Sequence, residues 1–169
     1  QIFVNFTIPT PEPNSLLASR KLGGGALMDM GSYAASIHRI FFKERITNKN
    51  IIIKKNKKGL ITSFDIFFKY NTKVLVGTFR FGGKYRNDIF VKFKNKTIEI
   101  NRLFSPPDDV NLNIKINTKN KVKKIKIKKD NCFENYLSEV IKNIKLKKMK
   151  YYQSNMIKDE HLRLKIISK

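Results

Sequence analysis

Asp29, Ser32, Tyr33 and Ser36 are the residues whose types and spacing suit proton chemistry. At 100° per residue on a helix they fall within about 100° of one another, on a single stripe. Around that stripe lie Ala26, Leu27, Met28, Met30, Ala34, Ala35, Ile37, Phe41 and Phe42, so the helix should be buried on most sides. A carboxylate on such a helix is costly unless it is paired or lines a wet cleft. Asp29 and Tyr33 stand at i and i+4, where side chains can meet. The pair is either a hydrogen bond satisfied inside the fold or part of an acid–base site.

Gly23, Gly24 and Gly25 precede the stripe. Glycines before a helix let a ligand approach the backbone, and free N–H groups at a helix start favour anions. The same run could be a tight turn against a strand. It lacks the Gly-x-Gly-x-x-Gly spacing of a dinucleotide fingerprint, and no Gly-Lys-Ser/Thr follows it. His38 lies off the stripe and reads as structural. With two histidines and one cysteine, no metal-ligand cluster can be assembled.

The elements that must position these residues follow from periodicity. Residues 1–8 alternate Ile2, Val4, Phe6 and Ile8 on one face of a strand. Pro9, Pro11 and Pro13 then force an extended loop. A helix is expected from Ala26 to about Phe42. Strand-like runs follow at 51–54, 60–70, 74–81, 88–93, 97–100, 112–116 and 122–127. Connections this short demand mostly antiparallel pairing. Helical spacing returns with Phe133, Leu137, Val140, Ile141 and Ile144, and a last helix is expected over 154–167. The expected fold is α+β: a large, open, mostly antiparallel sheet with one face covered by the first helix, in a single domain spanning 1–169. Val122 to Lys129 alternates lysine with isoleucine, as a solvated edge strand does, and this reading is preferred to a basic tract for RNA.

Composition bounds the remaining options. The chain has 169 residues, 36 Lys and Arg against 13 Asp and Glu, and a net charge of +23. Lysine accounts for 29 of the 36 basic residues, beside 22 isoleucines and 17 asparagines. These residues share A/T-rich codons, so the charge is read as compositional, with no specific nucleic-acid partner. Weak, salt-sensitive polyanion binding would follow from +23 regardless. No apolar run reaches the roughly 18 residues of a membrane span. Cys132 alone excludes an internal disulfide, so a reducing cytoplasm is expected. Gln1 in place of Met suggests a trimmed start or the tail of a longer frame. Asn5-Phe-Thr7 matches a glycosylation acceptor by chance.

The stretch Leu22-Gly-Gly-Gly-Ala-Leu-Met-Asp-Met-Gly-Ser-Tyr33 resembles the signature that opens the C-terminal domain of the Gfo/Idh/MocA oxidoreductases. The resemblance continues through Tyr33-Ala-Ala-Ser-Ile-His-Arg39, Phe81-Gly-Gly-Lys-Tyr-Arg-Asn87, Asn101-Arg-Leu-Phe-Ser-Pro-Pro-Asp108 and Asp130-Asn-Cys-Phe133. It is greatest to members acting on nucleotide-linked keto sugars. It implies that this chain is the substrate-binding and oligomerisation half of a two-domain protein. The Rossmann domain for NAD or NADP and its Glu-Lys-Pro motif would then lie elsewhere, leaving the fragment inert alone. By the same resemblance Asp29 matches the motif aspartate, and Tyr33 stands where many members have histidine. Hydride transfer is implied, with Tyr33 handling the sugar proton. A phenol ordinarily titrates near 10, so it donates to a developing alkoxide and needs a nearby cation to act as a base. Gly24, Gly25, Ser32 and Arg102 are the expected substrate contacts. Arg102 could grip a phosphate bidentately or form a sheet-edge salt bridge. Homo-oligomers should form through the open sheet face, for which Phe64, Ile66, Phe68, Phe79 and Phe81 are the expected apolar residues. The alternatives are a Lys-rich binding module for nucleic acid or acidic partners, and a scaffold that only oligomerises.

Overall fold

β-Branched and aromatic residues alternate along β1 (Ile2–Ile8), and the structure buries Ile2, Val4 and Phe6. The computed structural model describes residues 1–42 and 44–167. After β1 the prolines lead into two short 3-10 turns, Leu16–Ala18 and Arg20–Leu22. Then come α1 (Ala26–Phe41), β2 (Asn48–Lys55), β3 (Ile61–Tyr70), β4 (Lys73–Phe81), β5 (Arg86–Lys92), β6 (Lys96–Asn101), β7 (Leu112–Thr118) and β8 (Val122–Ile127). Two helices close the chain, α2 (Cys132–Lys145) and α3 (Met149–Ile167). The architecture is the expected α+β open sheet.

All eight strands join one sheet in the order β2-β3-β4-β1-β5-β6-β7-β8. Every pair is antiparallel except β1 with β4, which run parallel. That pair is possible because α1, β2 and β3 intervene and supply the long crossover a parallel return needs. β8 lies at one edge, its lysines exposed, which discourages further strand addition.

Register decides which side chains meet α1. Phe64 sits opposite Phe79, Phe79 opposite Phe6, and Phe6 opposite Asn87. This row faces the helix. Ala26, Leu27, Met30, Ala34 and Ile37 of α1 join Phe64, Ile66, Phe68, Tyr70, Leu75 and Phe79 in one buried cluster. The alanines let the helix lie close to the sheet, so even large rings beneath it are fully covered.

Three expectations are corrected here. Phe64, Ile66, Phe68 and Phe79 do not form the open face: they lie in the core beneath α1, joined at its margin by Phe81. The open face carries Phe3, Phe67, Phe90, Val74 and Val76 among Asn5, Asp65, Asp88, Glu99 and Lys115, because alternation puts each strand's intervening residues there. Met28 and Phe41 are exposed, so α1 is less enclosed than its composition suggests. Last, α3 begins at Met149, five residues ahead of the expected Ser154. Lys147 takes a left-handed φ of 54°, and its N–H caps the end of α2 on the Ile144 carbonyl, so the chain turns into α3 through residues 146–148 alone.

α2 is well formed but poorly covered. Asn131 caps it by accepting from the Phe133 and Glu134 N–H groups. Phe133, Leu137, Ile141 and Ile144 lie on one stripe, each more than half exposed. Among the described residues, no helix is long and apolar enough to cross a membrane.

Candidate active site

Tyr33 lies in the second turn of α1, above the Phe6 end of β1. Its ring meets Phe6 edge-on at 5.3 Å between centroids and Phe104 at 4.7 Å, while Phe6 and Phe104 are 5.2 Å apart. Three mutually packed rings leave the phenol one orientation. Its Oη reaches Ser105 Oγ at 3.1 Å.

The loop that brings Phe104 and Ser105 to Tyr33 is held by Asn87, which is 4% exposed. Asn87 Nδ2 donates to the Phe104 carbonyl at 2.6 Å, and the Phe104 N–H donates to Asn87 Oδ1 at 2.9 Å. The Asn87 carbonyl also accepts from the N–H groups of Arg102 and Leu103. A side-chain amide thus continues the β5–β6 ladder past the end of β6. The clamp is needed because Arg102 and Ser105 both adopt left-handed backbone, with φ of 53° and 41°. Such a conformation costs a non-glycine residue roughly 1–2 kcal/mol.

Asp29, one turn before Tyr33, is half-buried. Its carboxyl has no hydrogen bond or ion pair among the described residues, and burial pushes it above the usual range. The reading of a satisfied Asp29–Tyr33 hydrogen bond is therefore corrected: Tyr33 bonds to Ser105 across the sheet, and Asp29 remains an unpaired acceptor on the same helix face. Ser32 is exposed beside them. Ser36 is spent on its own helix, its Oγ donating to the Tyr33 carbonyl at 2.9 Å.

The glycines have a different task from the one expected. The Gly24 N–H donates to the Ser19 carbonyl at 2.8 Å and the Gly25 N–H to the Leu17 carbonyl at 2.9 Å, so neither amide is free for an anion. A Cβ on Gly24 would stand 2.3 Å from the Leu16 carbonyl oxygen. At Gly25, φ is 110° and Ile61 lies close. They are glycines because the chain folds back on itself here, which corrects the expected open amides.

Arg102 belongs to the same loop as Ser105, but its guanidinium lies over the Tyr85 ring, 5.4 Å from the centroid, and makes no ion pair among the described residues. The sheet-edge salt bridge does not form. His38 is structural: its Nδ1 is 2.8 Å from Tyr70 Oη and its ring stacks on Tyr70. Burial lowers its basicity, opposed by Asp159, and burial pushes the Tyr70 phenol up. Asn87 and Ser105 were given no role by sequence reasoning. The one available signal was a polar residue, Asn87, on the strand face that carries Ile89 and Val91.

No protein-family model matches the sequence, and no curated protein matches it at a significant level. Solved structures do. A 3-ketoreductase from Actinomadura kijaniata, in complex with NADP and TDP-benzene, superposes with a TM-score of 0.82 at 15% identity, covering 94% of this chain and 50% of the other. The same reductase has been solved with one lysine or one tyrosine replaced. UDP-N-acetylglucosamine 3-dehydrogenase from Acidithiobacillus ferrooxidans gives 0.74 at 8% identity, over 98% of this chain and 51% of that one. An aldose-aldose oxidoreductase from Caulobacter crescentus, complexed with glycerol, gives 0.77 at 14% identity, over 98% and 51%. This chain spans about half the length of the structures it matches. These likenesses show the fold: an open, mostly antiparallel sheet with a helix over one face, shared with about half of each of these oxidoreductase structures.

Proposed function

We propose that this chain is the substrate side of an NAD(P)-dependent oxidoreductase acting on a sugar or nucleotide-linked sugar, with Tyr33 moving the proton. The observation that carries the reading is the Tyr33 hydroxyl itself, fixed by the rings of Phe6 and Phe104 and by Ser105 Oγ at 3.1 Å. A phenol held in one orientation suits general acid–base work at a carbinol or carbonyl oxygen. Asp29 adds an unpaired carboxylate one turn away, and Ser32 an exposed hydroxyl.

Among the described residues, Gly24 and Gly25 offer a dinucleotide no free amides, because both N–H groups are bonded within the chain. The cofactor is therefore assigned to the half not contained in this sequence, and when bound it supplies or accepts the hydride. In the reducing direction the Tyr33 phenol gives its proton to the sugar oxygen and is left as phenolate; in the oxidising direction the phenolate takes that proton from the sugar hydroxyl. Ser105 Oγ orients the phenol for either transfer. Arg102 lies in the loop nearest to Tyr33, where release from Tyr85 would free a planar cation for a substrate phosphate. The chain alone, on this reading, binds substrate but does not turn over.

The test is a fusion to the dinucleotide-binding half of the Actinomadura reductase, assayed for NADPH turnover with keto-sugar nucleotides. Tyr33→Phe keeps the packed ring and removes only the hydroxyl. It should lower kcat by about 10²–10⁴-fold with little change in KM. A loss within a few-fold would overturn the assignment.

A further inference from the structure

A second concavity lies at the far end of α1 from Tyr33. The last turns of α1, the connector 44–47, the start of β2 and one side of α3 enclose a cleft of about 850 Å³. Its apolar floor is already closed. Ile51 and Phe68 are buried, and Phe42 is stacked face to face on Tyr70 with centroids 3.9 Å apart.

Its rim is ionic and unbalanced. Of the two carboxylates that line it, Asp159 receives Arg39 Nε at 3.0 and 2.9 Å, and Glu44 is paired with Lys73. Arg45, Lys49, Lys158 and Lys165 border the same volume with no carboxylate partner among the described residues. Lys49 Nζ donates to the Lys165 backbone carbonyl at 3.5 Å, so the cation of β2 reaches the α3 side of the cleft. Like charges facing one volume repel unless an anion sits between them.

We propose that this cleft binds a short phosphate chain, with Arg45, Lys49, Lys158 and Lys165 as its ligands. Four cations bordering one cleft match a multiply charged anion better than a single carboxylate. Guanidinium and ammonium groups both make charge-assisted bonds to phosphate oxygens. The floor offers no free aromatic face for a base to stack on, because Tyr70 covers Phe42. Recognition therefore rests on the phosphates, whether free or attached to a nucleoside. The assignment is independent of the role of Tyr33.

A net charge of +23 attracts any polyanion weakly, so the test compares places on the molecule. Inorganic tripolyphosphate is titrated calorimetrically into the chain in 0.15 M salt, with ATP and adenosine in parallel. Tripolyphosphate and ATP should each bind at one site with similar Kd, and adenosine should not bind. Arg45→Gln combined with Lys158→Gln should weaken tripolyphosphate at least tenfold without lowering Tm, because it relieves repulsion. Lys124→Gln combined with Lys126→Gln removes the same charge from β8 and should leave Kd within twofold. Equal losses in the two pairs, a stoichiometry well above one, or binding of ATP but not tripolyphosphate would each overturn the proposal. Should the first pair fold poorly, Lys158→Gln alone must still weaken binding several-fold.

Discussion

Asn87 bonds to Phe104 rather than to Tyr33, yet it determines what the Tyr33 hydroxyl can meet. Asn87→Ala would leave the Phe104 N–H and carbonyl without their partner in a buried place, at about 1–3 kcal/mol for each unsatisfied group. A urea melt should show a loss of about 2–4 kcal/mol. In the active fusion the same variant should lower kcat more than KM changes, because Ser105 no longer holds the phenol. Asp29 gives a prediction of opposite sign. Burial raises its pKa from 3.8, so the folded protein holds this proton more tightly than the unfolded chain. Protonated Asp29 favours the fold at low pH, and that contribution is lost as pH rises through the raised value. Asp29→Asn should therefore match or exceed the parent's Tm at pH 7, with the gain vanishing below pH 3.8. A variant less stable than the parent at pH 7 would show that the carboxylate has a favourable partner. The shared face of Asp29 and Tyr33 was legible in the sequence because helical spacing is local. Ser105 was not, since its contact spans 72 residues and depends on left-handed backbone at two non-glycine positions.

At the scale of elements, periodicity located every strand and the first helix, because each has an apolar face that only one period explains. It did not say which face of β3 lies under α1. Phe64, Phe67 and Phe68 put rings on both faces, and only pairing with β4 and the close seat of α1 decide between them. The start of α3 was hidden for a similar reason: Lys147 does what a glycine usually does. The glycine run was legible as a special backbone place but not as to its use. Gly24→Ala tests that use. With a carbonyl oxygen 2.3 Å from the new Cβ and a second, that of Leu17, at 2.5 Å, the 3-10 turns must move away from α1. The cost should exceed about 2 kcal/mol, in the range of strained backbone substitutions. Gly23→Ala meets no neighbour and should cost only the strain of its φ of 80°. Equal effects at the two positions would remove the packing explanation of Gly24.

At the scale of the whole molecule, two apolar surfaces have nothing over them among the described residues: the stripe on α2 and the open face of the sheet. The open face keeps its carboxylates beside cations. On a chain of +23, each of its three carboxylates has a basic neighbour. Asp88 takes Arg86 at 3.1 Å, Glu99 takes Lys115 at 3.4 Å, and Asp65 lies 3.5 Å from Arg80. The face carries Phe67 at 40% exposure beside the Phe3–Phe90 ring pair. Two copies should therefore associate through these faces despite their net repulsion. Association should strengthen as salt screens the distant lysines, whereas a contact built on ion pairs would weaken. Sedimentation at tens of micromolar should show a dimer, and Phe67→Asp should return it to monomer without lowering Tm, since the ring is outside the core. A parent that stays monomeric from 0.05 to 0.5 M salt would leave the open face to some other partner.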